Sequence, residues 1–248
     1  MTYSIAFAGK GGTGKTTLAG FMVRYLVSHG KTPVLAVDAD SNSNLNEVLG
    51  LEVDLTLGEA REEMKSGVAT GMTKDVFIEM KIQEAVVESD GFDLIVMGRP
   101  EGPGCYCAAN TLLTQCLEKL IANYAYIVMD NEAGMEHISR LTTNNINTMF
   151  VVSDPTKRGL QAASRILSLA DELNLEVGDK YVLVNLAKEV QEESVLRIAE
   201  KMGLKIAGFI PEDAQVRDYD LQGRPTSKLP DDNLALVAAF RIFQELIN

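Results

Sequence analysis

The chain is short of basic charge: 23 lysines and arginines face 35 aspartates and glutamates over 248 residues, giving a formal net charge of −12. Binding along a nucleic-acid backbone needs clustered Lys and Arg, so this balance argues against nucleic acid as a main partner. It also argues against docking on anionic lipid. Cysteine is scarce, and its three residues are too few for a disulfide scaffold. Two histidines make no metal-binding cluster. No apolar run approaches the roughly 18 residues of a membrane span. The segment Met1–Ala8 lacks the basic stretch and long apolar core of a signal peptide. Together these absences predict a cytoplasmic protein with neither a membrane nor a nucleic-acid partner. What remains is an ordinary globular balance, 46% hydrophobic and 23% charged, sufficient to bury a substantial core.

Short runs rich in Val and Ile, bounded by Gly, Asp or Pro, read as buried strands at Tyr3–Ala8, Pro33–Val37, Phe92–Met97, Tyr126–Met129, Met149–Val152, Tyr181–Leu186 and Ile206–Ile210. Amphipathic stretches near 16–28, 74–88, 108–122, 157–173 and 192–202 read as helices. This alternation predicts an α/β fold, with a mostly parallel central sheet covered by helices on both faces. No repeat, low-complexity tract or linker divides residues 1–248, so they read as one domain. Asp231–Asn248 is apolar at Leu234, Val237, Phe240 and Ile242. It carries Asp231, Asp232 and Glu245 against Arg241 alone. A membrane-targeting helix would show a basic face, so this segment reads as a closing helix packed on the core.

The chemistry concentrates in Gly9-Lys10-Gly11-Gly12-Thr13-Gly14-Lys15-Thr16-Thr17, between the first strand and the first helix. It satisfies G-x-x-x-x-G-K-T, the spacing of a P-loop. Glycines let the backbone curl with its N–H groups inward and no Cβ against the phosphates. The helix N-terminus adds the positive end of its dipole. Lys15 is placed to reach the β- and γ-phosphates, Thr16 to offer its hydroxyl to Mg²⁺, and Thr17 to touch the α-phosphate.

Lys10, a second lysine at the loop start, resembles the deviant Walker A P-loop NTPases (the SIMIBI class), which include MinD, ParA and the nitrogenase iron protein. The resemblance implies a homodimer sandwiching ATP face to face, with Lys10 crossing to the partner's nucleotide. It makes Asp38-Ala39-Asp40-Ser41-Asn42-Ser43-Asn44-Leu45 the first switch, with Asp38 orienting the attacking water and Asp40 near magnesium. Asp40 also reads as a helix N-cap. Asp130, ending a hydrophobic strand, fits a Walker B acid holding a magnesium water. Gly134, in the run Asp130-Asn131-Glu132-Ala133-Gly134-Met135-Glu136-His137, fits the second switch, and His137 reads as structural. By the same resemblance Asn185 contacts adenine and Ile210-Pro211-Glu212-Asp213 closes over the base. An amide supplies the donor and acceptor that adenine's edge requires. The run Asn185-Leu186-Ala187-Lys188 lacks the aspartate of a guanine-reading N-K-x-D stretch, which favours ATP.

Gly98-Arg99-Pro100-Glu101-Gly102-Pro103-Gly104-Cys105-Tyr106-Cys107-Ala108 reads as a loop before a helix, whose N-terminus favours thiolates. Two neighbouring thiols supply half of a four-ligand site, and a two-fold axis would supply the rest. Cys105 and Cys107 are therefore candidates for one metal at the dimer axis, with a redox pair or inert thiols as alternatives. Cys116 lies at helical spacing with Leu112, Leu113, Leu117 and Leu120 and reads as a core residue. The Cys-x-Cys loop and the Asp-Asn-Glu-Ala-Gly run resemble the CooC type, nickel-insertion ATPases for carbon monoxide dehydrogenase and related nickel enzymes. The resemblance implies a dimerising maturation ATPase that uses ATP/ADP, Mg²⁺ and Ni²⁺ or Zn²⁺ and serves a nickel-enzyme client. Two other readings remain at this point: an ATP-driven reductase component carrying an iron–sulfur cluster, and a MinD/ParA-like positioning ATPase.

Overall fold

The computed structural model describes residues 2–40, 44–67, 71–98, 115, 117–131 and 145–247. An eight-stranded sheet runs through them. Its strands are β1 (Tyr3–Gly9), β2 (Val34–Ala39), β3 (Val87–Ser89), β4 (Phe92–Val96), β5 (Tyr126–Asn131), β6 (Asn145–Ser153), β7 (Glu176–Ala187) and β8 (Ile206–Pro211). The order across the sheet is β3-β4-β2-β5-β1-β6-β7-β8. Every pairing is parallel except the β3–β4 hairpin at one edge. The central strands are buried on both faces, which is why they read in the sequence as continuous apolar runs rather than alternating ones.

Two cores lie on the two faces. One collects Leu35, Val37, Ile95, Met129, Met149, Val151, Val182 and Val184 under α3 (Leu57–Ser66), α4 (Lys74–Ala85), α5 (Lys157–Glu172) and α6 (Glu192–Lys201). The other collects Ile5, Phe7, Val34, Ala36, Phe150 and Leu183 under α1 (Lys15–Ser28), α2 (Leu45–Leu49), α7 (Ala214–Leu221) and α8 (Leu234–Leu246). Phe7 stacks on Phe150 at 5.3 Å, and Phe243 meets Phe7 edge-on at 6.3 Å. These offset and edge contacts suit the aromatic quadrupole. They seat α8 against the strand that leads into the glycine loop.

Several expectations shift. Pro33 stands before β2, where its carbonyl accepts from Ala125 and Tyr126 N–H, and the strand runs on to Ala39. β6 begins at Asn145 and β7 at Glu176, both in polar sequence. There the side chain of Asn147 replaces ladder apolarity by accepting from the Ser4 N–H at 2.8 Å. β3, α2, α3 and α7 were not expected. The closing helix turns its Ala235, Leu236, Ala239, Ile242 and Phe243 inward, whereas Leu234 and Val237 are exposed. The 3.6-residue period places those two on the opposite face. Of the expected 108–122 helix, residues 117–121 are helical, with Leu117 and Leu120 buried. No helix among the described residues is long and apolar enough to cross a membrane.

Candidate nucleotide-binding site

Parallel sheets present their ligands at the carboxyl ends of the strands, and the expected residues meet there. β1 ends at Gly9, β2 at Asp38–Ala39, β5 at Asp130–Asn131, β7 at Asn185–Ala187 and β8 at Pro211. A cleft of about 700 Å³ opens at this edge. Gly12, Gly14, Lys15, Thr16, Thr17, Asn185, Pro211, Glu212 and Asp213 all line it.

The glycine loop takes the form that its sequence dictates. Gly12 and Gly14 adopt φ of 79° and 87°, a region glycine enters without steric cost. Gly14 is the N-cap of α1, so the helix dipole and its free N–H groups face the cleft. Thr13 closes the turn internally. Its N–H and hydroxyl both donate to the Lys10 carbonyl, the hydroxyl at 2.8 Å. Lys15 is buried, while Lys10 and Gly11 are exposed at the mouth of the loop.

Asp38 and Asp130 are register partners on adjacent parallel strands, and both are essentially inaccessible to solvent. Asp38 Oδ1 accepts the Asp40 N–H at 3.1 Å and Oδ2 the Leu45 N–H at 2.9 Å. The acid that holds the start of α2 is thus Asp38 rather than Asp40, and the N-cap position belongs to Asn44. Burial pushes the Asp38 carboxyl up to about 6, against these backbone donors, which lower it. Burial pushes Asp130 up to about 7; the Thr16 hydroxyl and Lys15 lower it, and Asp38 and Asp40 raise it. The Thr16 hydroxyl lies near enough to lower it but does not complete a hydrogen bond, so by geometry neither Asp130 oxygen has a partner among the described residues. A buried carboxylate left this way is costly. Two unmatched oxygens beside Thr16 and Lys15 fit a magnesium ion and its waters, which supply the missing charge and donors.

Asn131 is a neighbour that sequence reasoning passed over. Its side-chain amide donates to the carbonyls of Phe7 and Met129 at 3.1 and 3.3 Å, fastening β5 to β1 just below the loop. Its only signal was its place beside the Walker B acid. On the wall expected to face the base, Asp213 caps α7 by accepting from Gln215 and Val216 N–H. Glu212 pairs with Arg217 and, at 3.8 Å, with Lys188. The carboxylates of this loop therefore hold the wall in place. The wall continues with Arg224, stacked 3.8 Å from the Tyr219 ring centre.

Ser41, Asn42 and Ser43 of the first switch, Gly134 and His137 of the second, and Cys105, Cys107 and Cys116 lie outside the described residues. Among those described, no group of three or more His, Cys, Asp or Glu side chains could hold a metal ion.

Residues 5–226 match the CobQ/CobB/MinD/ParA nucleotide binding domain. The chain belongs to this family. Within the CobQ/CobB/MinD/ParA family it is 43% identical to an uncharacterized ATP-binding protein of Methanocaldococcus jannaschii, over 98% of each chain. It is 30% identical to the carbon monoxide dehydrogenase accessory protein CooC of Rhodospirillum rubrum, over 88% of this chain and 87% of CooC. Among solved structures it is similar to MinD complexed with Mg-ADP from Pyrococcus horikoshii, with a TM-score of 0.73, 21% identity, and coverage of 100% of this chain and 97% of that one. At that identity the likeness concerns the fold: a mostly parallel P-loop architecture. The protein is thus a nucleotide-binding P-loop protein.

Proposed function

We propose that the chain is an ATPase whose nucleotide pairs two copies face to face and drives maturation of a nickel enzyme. The observation that carries the hydrolytic part is the placement of Asp38 and Asp130 side by side at the strand ends, beneath Lys15 and Thr16. Lys15 neutralises charge on the β- and γ-phosphates. Thr16 and Asp130 would hold magnesium, which when bound offsets the charge developing on the transferred phosphoryl group. Asp38 acts in its ionised form, accepting a hydrogen bond from the attacking water. Its two backbone tethers, Asp40 N–H and Leu45 N–H, link that carboxylate to α2, so a change at the γ-phosphate reaches the first switch. Such segments respond to nucleotide as two-state elements.

The pairing of copies rests on Lys10, exposed at the loop mouth and free of the internal role that Lys15 takes. The maturation role rests on the 30% identity to CooC and on the Cys105-Tyr106-Cys107 sequence. Cys105 and Cys107 from each copy would hold one Ni²⁺ or Zn²⁺ at the two-fold axis, and the ATPase would assist nickel insertion into a client such as carbon monoxide dehydrogenase. Anaerobic metal analysis together with sizing tests this reading. Wild type should retain about one metal per two chains and enlarge with Mg·ATP. The Cys105→Ala, Cys107→Ala double variant should lose the metal and still bind nucleotide. Unchanged metal content in that variant contradicts the cysteine site, and a visible iron–sulfur spectrum in the wild type would favour a reductase instead.

A further inference from the structure

The phosphate and base halves of the cleft are joined by one side chain. Asn185 Nδ2 donates to the Thr13 carbonyl at 2.9 Å in a buried hydrogen bond. Thr13 is itself folded onto Lys10, so this bond ties the last strand-end amide to the glycine loop. The fit is close: a Cβ on Gly14 would fall on the Asn185 Nδ2.

The backbone is deformed to achieve this. Along β7, Tyr181 and Leu183 pack on the α1 side and Val182 and Val184 on the other. By the two-residue period Asn185 falls on the α1 side, towards the loop. Leu186 would then follow Val184 into the opposite core. Instead it takes φ of 57° and stands exposed, and Ala187 fills that core in its place. The pairing of β7 with β8 is irregular across this step, between Val184 and Ala187. A non-glycine residue at positive φ is strained and persists only where its surroundings hold it, and bulges beside active sites re-aim side chains. The neighbouring chain is held as well, since Glu212 N–H donates to the Ala187 carbonyl at 3.2 Å.

We infer that Asn185 is a positioning residue for the phosphate loop as well as a wall of the base pocket. Its amide nitrogen fixes the Thr13 carbonyl and so the inward aim of the following N–H groups. Its Oδ1, which has no protein partner among the described residues, is left to accept from the exocyclic amine of an adenine. Base occupancy and phosphate grip are thereby coupled through a single amide. This deepens the nucleotide-binding role and rests on it.

Calorimetry with a ligand that has no base separates the two roles. The probes are magnesium tripolyphosphate and Mg·ATP, on the full chain, for wild type, Asn185→Ala and Asn185→Asp. A residue that only touches the base leaves tripolyphosphate affinity unchanged. The strap predicts that Asn185→Ala weakens tripolyphosphate about fivefold to tenfold, as expected for a buried hydrogen bond, and weakens ATP further, at unaltered stoichiometry. Asn185→Asp keeps the shape and guards against a folding defect. Protonated, its carboxyl can donate to the Thr13 carbonyl; ionised, it cannot. Burial at this position raises an introduced carboxyl above its ordinary value near 4, so its tripolyphosphate affinity relative to wild type should fall as pH rises from about 4 to 8, while the Asn185→Ala ratio stays flat. Wild-type tripolyphosphate affinity in Asn185→Ala, or parallel pH profiles for the two variants, overturns the inference. If wild type binds neither ligand, the nucleotide-binding role itself fails, and that outcome also overturns the strap.

Discussion

The two halves of the cleft floor are built on opposite terms. In the glycine loop the groups that set its shape already have protein partners, Thr13 on Lys10 and Asn185 on Thr13, and its free N–H groups are left facing the cleft. At the ends of β2 and β5 the reverse holds. Two carboxyls stand in register and buried, and Asp130 has neither oxygen matched among the described residues. The loop is shaped by folding, whereas the strand ends are completed by ligand. In the proposed reading, a preformed phosphate cradle sits beside a pair of acids whose charge state would depend on what the cradle holds.

Substitutions on either side sharpen that contrast. The largest effect belongs to Lys15→Ala, which removes the cation of the cradle. Loss of a charge-assisted contact with phosphate costs about 3–5 kcal/mol, a loss in Mg·ATP affinity of a hundredfold or more. Titration calorimetry reads it, and the fold should survive.

Asp130→Asn comes next, and its sign reverses with ligand. The folded carboxyl titrates near 7, against an ordinary 3.8. A raised carboxyl lends stability below its unfolded value and loses it as pH climbs through the folded one. At pH 8 the ligand-free wild type thus carries a buried, unmatched charge. Asparagine should stabilise the ligand-free protein by about 2 kcal/mol at pH 8 and by almost nothing near pH 4. With Mg·ATP the order should invert, because wild type gains more from the ligand. Thermal melts at the two pH values, with and without Mg·ATP, check each arm. A ligand-free Asp130→Asn less stable than wild type at pH 8 would place these acids on the same footing as the loop.

The smallest effect is Thr13→Ala, which deletes the hydroxyl bond to Lys10 and leaves the backbone turn. A loss of about 1 kcal/mol in stability and a few-fold in affinity is expected. An effect as large as that of Lys15→Ala would mean that the loop is not preformed by its backbone.

The cradle was legible in the sequence because its spacing states its geometry. Glycine at three positive-φ positions, a lysine and a threonine at a helix start leave few alternatives. The central strands were legible for the same local reason, being apolar and short. What escaped depended on partners distant in sequence. The polar beginnings of β6 and β7 are strand because Ser4 and the neighbouring ladder make them so. α3 did carry a local signal, the capping box of Thr56 and Glu59, and Asp213 similarly announced α7. Leu186 carried none, since positive φ normally selects Gly or Asn. Asn185 was assigned to adenine by resemblance, but its bond to Thr13 spans 172 positions and no spacing rule reaches it. The exposed Leu234 and Val237 show that apolar content alone does not fix which face of a helix is buried.

Phosphate release by Asp38→Asn, measured beside its Mg·ATP affinity, tests the central claim most directly. Asp38 titrates near 6, so wild-type hydrolysis should rise as pH increases through that value, as the carboxyl ionises. The variant should bind Mg·ATP within a few-fold of wild type and hydrolyse it about a hundredfold or more slowly. Undiminished hydrolysis in Asp38→Asn, or no release of phosphate by wild type at all, would contradict the account.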